Sequence, residues 1–157
     1  MTIFVVRHAS ARSRSRWSDD DLERPLDDRG RRQADALTLW FADKPVHAVW
    51  SSEARRCRDT VAAVARSHGV DLVSRRELTE GARPQDFHEL LRGAAAGTGD
   101  LVACSHGDLI PDVLGRLLRE GMSVRGPRGC EKASIWQLET RGRDITCASY
   151  IEPPEVQ

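Results

Sequence analysis

The apolar run IFVV at residues 3–6 leads directly into Arg7 and His8. A continuous run of apolar side chains, with no polar alternation, is typical of a strand that is buried on both faces of a sheet. A second run of this kind, LVAC at residues 101–104, leads into His106 after one intervening serine. The sequence therefore predicts two buried strands, each followed by a histidine, and these strands anchor the interpretation of the rest of the chain.

Strands and helices are predicted to alternate along the chain. Helical spacing of apolar residues and stop signals such as Pro45 and Gly69 predict helices at Arg31–Phe41, Glu53–Ser67 (with Ser52 as N-cap), Gln85–Arg92 and Asp108–Arg119. Further strands are predicted at Ala48–Trp50, Asp71–Ser74, Ser134–Leu138 and Asp144–Tyr150, and loops at 10–29, 79–84 and 93–99. This alternation indicates an α/β fold in which an open, mostly parallel sheet is flanked by helices on both faces, with residues 1–157 forming one domain.

Composition excludes several classes of protein. The 157 residues include 24 Lys plus Arg and 24 Asp plus Glu, so the net charge is zero and a general binder of nucleic acid or anionic membrane is not expected. All but two of the basic residues are Arg, which is the better partner for phosphate. No apolar run approaches the roughly 20 residues that span a bilayer, and the N-terminus does not resemble a signal peptide. A cytoplasmic protein is the expectation.

The four cysteines carry no recognisable framework. None of them forms a C-x-x-C pair, and their spacing matches no zinc or disulfide pattern. Neither a metal nor another cofactor is therefore predicted, and buried reduced thiols are expected at Cys57, Cys104 and Cys147.

Polar residues follow the predicted strands at the edge where ligands bind in open α/β sheets. His8 and His106 each follow a buried strand, the strand at 48–50 leads to a helix carrying Arg55 and Arg56, and Glu80 lies in a loop after the strand at 71–74. Guanidinium groups match phosphoryl oxygens, and an imidazole surrounded by arginines stays neutral and can act as a nucleophile. A carboxyl group could protonate the leaving group. This combination of residues predicts phosphoryl transfer.

Motifs at these positions resemble a known family, the histidine phosphatase superfamily with its phosphoglycerate-mutase-like fold. The similar segments, in chain order, are RHAS at 7–10, RPL at 24–26 with RGRRQA at 29–34, SS at 51–52 with Arg56 and Thr60, LTE at 78–80, and SHG at 105–107. The resemblance is to the short bacterial branch that includes SixA-like phosphohistidine phosphatases. Residues 131–138 are similar to the closing strand of the phosphatase domain in some two-domain Nudix hydrolases.

The resemblance implies a role for each matched residue. His8 would be phosphorylated during the reaction, with His106 and Glu80 as further catalytic residues and Glu77 as a competing candidate for the acid. Phosphate-binding roles fall on Arg7, Arg56, Ser10 and Ser105. The implied substrate is a small phosphorylated molecule or a phosphohistidine protein, and the oligomeric state stays open.

Alternatives to a phosphatase remain at this point. A phosphomutase is disfavoured because the chain has little room for long insertions over the site, and an inactive module that binds a phosphorylated ligand would be expected to lack one of the matched residues. Two departures from the family pattern are Ala9, where Gly is commoner, and Ala11, where many members have Thr. The role of Arg12, Arg14 and Arg16 is open between a solvated loop and a second phosphate site. Trp17 is a candidate neighbour of the site.

Overall fold

The computed structural model describes residues 1–157 and contains a seven-stranded sheet with four α-helices. The strands are β1 Thr2–Arg7, β2 Val46–Ser51, β3 Leu72–Ser74, β4 Asp100–Ser105, β5 Ser123–Arg125, β6 Ile135–Arg141 and β7 Asp144–Ile151. The helices are α1 Asp28–Phe41, α2 Arg55–Ser67, α3 Pro84–Ala95 and α4 Leu109–Arg119, with short 3-10 turns at Arg14–Arg16, Asp21–Glu23 and Arg76–Leu78.

Six of the seven strands run in the same direction. Their order across the sheet is β3-β2-β4-β1-β6-β7-β5, and only β6 is antiparallel to its neighbours. The central pair is β1 and β4, which align Ile3 with Leu101 and Arg7 with Ser105. This register brings the residue after each strand, His8 or His106, to the same edge of the sheet.

Successive side chains of β1 point to opposite faces of the sheet and belong to two separate hydrophobic cores. Ile3 and Val5 pack with residues of α3 and α4 on one face, whereas Phe4 and Val6 pack with residues of α1 and α2 on the other. Each core contains 18 buried residues, so both faces of the sheet are covered, as a continuous apolar strand requires. The predicted α/β class with helices on both faces is confirmed.

Several predicted boundaries were wrong. Helix α1 begins at Asp28, because the Asp27 side chain accepts a hydrogen bond from Gly30 N, and α3 continues through Ala95 into the predicted loop. The N-cap position of α2 is Ala54, not Ser52. Strand β5 was not predicted. None of the helices has the length and apolar character to cross a membrane.

Candidate active site

His8 lies immediately after β1 and is only 7% exposed. Its backbone N–H donates to the Ser105 carbonyl at 3.0 Å, which fixes it against the end of β4. Its ring Nδ1 lies 2.8 Å from the Ala9 carbonyl oxygen, an atom that can only accept, so Nδ1 carries the proton. The lone pair is therefore on Nε2, the nitrogen that can act as a nucleophile.

The surroundings of His8 keep its imidazole neutral. Burial, opposed by the Ala9 hydrogen bond and reinforced by the positive charges of Arg56 and Arg7 and by His106, lowers the pKa of His8 to about 3. A neutral His8 with a free Nε2 is what attack on phosphorus requires.

His106 faces His8 from the end of β4. The two rings meet edge to face with centroids 5.3 Å apart. His106 Nε2 lies 2.8 Å from Ser52 Oγ and 3.5 Å from Cys57 Sγ, while its Nδ1 lies 3.5 Å from Arg56 Nη2. With Nε2 held by Ser52, Nδ1 is the ring atom that is left on the side of Arg56.

Ser52 lies beside His106, although the sequence analysis gave it no role in the site beyond its place in the SS motif and a predicted helix cap. Its hydroxyl also accepts a hydrogen bond from Ala54 N at 3.1 Å and lies 3.4 Å from Thr79 Oγ1. The signal that could have identified it is its place in the SS motif at the carboxyl end of β2, next to β4 in the sheet.

Arg56 is the most deeply buried cation of the site, with 1% of its side chain exposed. Its Nη1 donates to the Asp21 carbonyl at 3.0 Å, and its Nη2 lies 2.8 Å from Glu80 Oε2 and 3.2 Å from Asp21 Oδ2. Its Nε is buried and has no partner in the protein. Because buried N–H groups are rarely left without an acceptor, Nε is available to a ligand oxygen.

Arg7 provides a second guanidinium with an unsatisfied buried nitrogen. Its Nη1 donates to the Cys130 carbonyl at 2.5 Å, and its Nε has no protein partner. The guanidinium packs over Gly107, where an added Cβ would lie 2.6 Å from Arg7 Cζ. Arg7 and Arg56 thus each have a buried guanidinium N–H without an acceptor in the protein, and guanidinium groups are suited to binding an anion.

Glu80 is the predicted acid that the structure brings to this pocket. It bridges Arg56 and Arg14, whose Nη2 lies 3.1 Å from both carboxylate oxygens, and its side chain is 35% exposed. The competing candidate, Glu77, lies in the 3-10 turn at Arg76–Leu78 and has no hydrogen bond or ion pair with the site.

Asp21 is a second carboxylate beside Arg56, and the sequence analysis did not single it out. Burial opposes its ionisation, but the hydrogen bond from Arg24 and the charges of Arg56, Arg24 and Arg14 outweigh that effect and lower the pKa of Asp21. Asp21 therefore stays a carboxylate and balances the charge of Arg56.

The two serines assigned to phosphate binding have other hydrogen-bond partners. Ser10 Oγ donates to Asp27 Oδ2 at 2.7 Å, and Ser105 Oγ donates to the Leu78 carbonyl at 2.6 Å. Both hydroxyl groups thus donate to neighbouring loops, and the assignment of the two serines to phosphate binding stays a prediction.

No group of three or more His, Cys, Asp and Glu side chains is arranged to hold a metal ion. Cys57, Cys104 and Cys147 are buried free thiols, as expected. Trp17 lines a pocket together with Arg14, Arg56 and Glu80, and so it is a neighbour of the site.

Comparison with known proteins identifies the family. The chain belongs to the histidine phosphatase superfamily (branch 1), whose sequence model matches residues 3–85. A curated relative from Mycolicibacterium smegmatis, an 8-oxo-(d)GTP phosphatase, is 31% identical in an alignment 157 positions long that covers 98% of this chain. The match covers 49% of that protein, so this chain spans about half of its length.

Solved structures support the fold. The protein histidine phosphatase SixA in a complex with tungstate superimposes with a TM-score of 0.76 at 18% identity, covering 96% of this chain and 94% of the other. A SixA-type protein from Nakamurella multipartitia superimposes with a TM-score of 0.75 at 23% identity, covering 98% of this chain and 95% of the other. A mycobacterial glucosyl-3-phosphoglycerate phosphatase in a complex with VO3 superimposes with a TM-score of 0.73 at 18% identity, covering 95% of this chain and 96% of the other. The resemblance found in the sequence is confirmed, and the family and its phosphatase relatives support a phosphatase enzyme.

Proposed function

We propose that this protein is a phosphohydrolase that works through a phosphorylated His8, with residues 1–157 acting as one phosphatase domain. The observation that carries the proposal is the pairing of a neutral His8, whose Nε2 is free, with two buried guanidinium nitrogens that lack acceptors. Family membership points to the same chemistry.

The first step of the proposed reaction transfers the phosphoryl group to the enzyme. His8 Nε2 attacks phosphorus while the bond from phosphorus to the leaving group breaks. Arg7 Nε and Arg56 Nε donate to the phosphoryl oxygens, and His106 Nδ1 donates to another in the tautomer whose Nε2 accepts from Ser52 Oγ. The guanidinium groups neutralise the charge that spreads over the oxygens in the transition state.

The second step returns the free enzyme. Glu80, having given its proton to the departing oxygen or nitrogen in the first step, now accepts one from water. The water attacks phosphorus, the bond from phosphorus to His8 Nε2 breaks, and inorganic phosphate is released.

The substrate is proposed to be a small phosphorylated molecule or a phosphohistidine protein. Relatives named as an 8-oxo-(d)GTP phosphatase and a protein histidine phosphatase support each of these classes. We also propose a cytoplasmic location, where four free cysteines would stay reduced.

Trapping the intermediate tests the proposal. Enzyme mixed rapidly with a 32P-labelled phosphomonoester or phosphohistidine and quenched should carry protein-bound label that is labile in acid and stable in base. The His8→Ala variant should carry none and should lose at least about a thousandfold in kcat. His47→Ala, at an exposed residue in β2, is the matched control and should label normally. Full activity of His8→Ala would exclude the mechanism.

A further inference from the structure

A pocket of about 430 Å3 adjoins the phosphoryl site and shares two residues with it. Its lining consists of Arg14, Trp17, Asp19, Asp21, Leu22, Arg56 and Glu80. Because Arg56 and Glu80 belong to both spaces, a substrate whose phosphoryl group sits on Arg56 would place its leaving group here. This role as a leaving-group pocket rests on the proposed function, and the lining residues determine which leaving groups fit.

Trp17 gives the pocket a fixed aromatic wall. The residue follows the 3-10 turn at Arg14–Arg16, and its indole Nε1 donates to the Asp20 carbonyl at 2.9 Å. The Asp20 side chain in turn accepts from Leu22 N at 3.0 Å, so both apolar lining residues are tied to one turn. An aromatic ring held in place before the ligand arrives costs little conformational entropy on binding and favours a flat partner.

The charge of the pocket disfavours a second anion. Its carboxylates Asp19 and Asp21 face a single further arginine, because Arg56 is directed to the phosphoryl group and Glu80 carries the proton that it gives to the leaving group. The remaining cation, Arg14, already pairs with Glu80 at 3.1 Å and with Asp21 at 3.6 Å.

The other two arginines of the loop do not change this balance. Arg12 and Arg16 are exposed and do not line the pocket. A phosphate or carboxylate next to the scissile phosphoryl group would therefore face carboxylates without a free cation to compensate.

We infer that this pocket selects substrates whose leaving group is planar and carries no negative charge. Aryl, benzyl, imidazole and uncharged heterocyclic groups fit this description. Carboxylate-bearing groups and diphosphates do not, so this chain would differ from its 8-oxo-(d)GTP phosphatase relative if that enzyme removes the terminal phosphate. The specificity is set by Trp17 through stacking and by Asp19 and its neighbouring carboxylates through charge.

A series of benzyl phosphates tests the inference that a negatively charged leaving group is disfavoured. The substituents on the ring lie far from the ester oxygen, so they alter the reactivity of the ester little. Benzyl phosphate, 4-(aminomethyl)benzyl phosphate and 4-carboxybenzyl phosphate are compared by kcat/KM. The carboxylate should reduce kcat/KM about three- to tenfold relative to benzyl phosphate, and the ammonium group should not reduce it. Asp19→Asn, which removes a lining charge that has no contact with Arg56, should narrow the difference between the two charged substrates.

Trp17 variants test the stacking rule. Benzyl and cyclohexylmethyl phosphate differ in planarity, and the wild type should prefer the benzyl ester. Trp17→Ala should lower the benzyl to cyclohexylmethyl ratio about tenfold, and Trp17→Phe should restore most of it. If Trp17 had only a structural role, Trp17→Ala would lower kcat/KM for both substrates by the same factor and leave their ratio unchanged.

The corresponding phosphonates separate this inference from the proposed function, because their binding needs no turnover. If calorimetry shows that benzylphosphonate binds more tightly than cyclohexylmethylphosphonate or 4-carboxybenzylphosphonate, the inference is supported. This holds even if the protein hydrolyses none of the esters, because the absence of hydrolysis would overturn only the proposed function. Equal binding of all three, or ratios of kcat/KM that do not change in the Trp17 and Asp19 variants, would overturn the inference and leave the phosphatase proposal intact.

Discussion

The position of the Arg7 guanidinium depends on the absence of a side chain at residue 107. Arg7 is anchored at one end by the Cys130 carbonyl, and it crosses directly over Gly107. The glycine of the SHG motif thus has a physical role, because it lets a cation approach the backbone next to His106.

Replacing Gly107 should therefore impair activity more than stability. In Gly107→Ala the new Cβ would lie 2.6 Å from Arg7 Cζ, and the flexible end of Arg7 would move aside. We expect kcat/KM for a phosphomonoester to fall by about tenfold or more, since one charge-assisted contact to the phosphoryl group is displaced. Gly93→Ala, where an added Cβ meets nothing within 4 Å, is the control and should keep full activity. Equal kcat/KM for both variants would argue against a phosphate contact from Arg7.

The sequence was sufficient to bring the main side chains of the site together, but not to assign their partners. His8 and His106 follow adjacent parallel strands, and Arg56 begins the helix after a third, so strand topology alone predicts their convergence. Ser10 and Ser105 were assigned by motif, and only the folded chain shows that Asp27 and Leu78 take their hydroxyl groups. Hydrogen-bond partners far apart in sequence cannot be inferred from spacing.

At the level of elements, the loop after β1 is fastened to the first turns of α1. Ser10 N donates to Gln33 Oε1 at 2.9 Å, and Ala11 forms an isolated bridge with Leu26. Gly30 lies in the same contact, where an added Cβ would come within 1.8 Å of the Ser10 carbonyl oxygen. The motif that spans residues 24–34 is therefore the means by which α1 holds the start of the loop that carries Trp17.

Gly30→Ala should destabilise this junction. The clashing atom belongs to the backbone and cannot rotate away, so α1 or the loop has to shift, at a cost of roughly 2–4 kcal/mol in the free energy of unfolding. Gly115→Ala in α4 is the matched helical control. Its Cβ would meet only Arg119 Nη1, at 3.5 Å, and it should stabilise the protein by up to about 1 kcal/mol. Urea denaturation measures both values, and similar values for the two variants would contradict the proposed contact.

The missed elements are the ones whose formation depends on distant partners. Strand β5 has three residues, two of them exposed, and it exists because Ser123 to Arg125 pair with the edge of β7. The local sequence has no apolar pattern that would predict such a strand. The buried strands β1 and β4 were predicted correctly because burial on both faces leaves a continuous apolar run in the sequence itself.

On the scale of the whole molecule, the site exists only when the sheet is complete. His8, Arg56, Glu80 and His106 come from four segments that are spread over about a hundred residues, and the parallel order β2-β4-β1 brings three of these segments to one edge. Burial of His8 is thus a property of the folded state, and its titration must be linked to global unfolding.

This linkage predicts that His8 makes the protein sensitive to acid. Folding lowers the pKa of His8 to about 3 from 6.5. Between those two values the unfolded chain binds more protons than the native one, so the free energy of unfolding falls as the pH falls, and the loss is complete below the folded pKa. Going from pH 7 to pH 4 should lower the free energy of unfolding by about 3 kcal/mol from this residue alone, at about 1.4 kcal/mol per pH unit below 6.5.

The variants His8→Gln and His8→Asn lack this titration. Urea denaturation at pH 7 and pH 4 should therefore show, in both variants, a drop in the free energy of unfolding that is smaller than the wild-type drop by that amount. A drop equal to that of the wild type would mean that His8 takes up its proton at the same pH in the folded and the unfolded protein, so that burial does not lower its pKa.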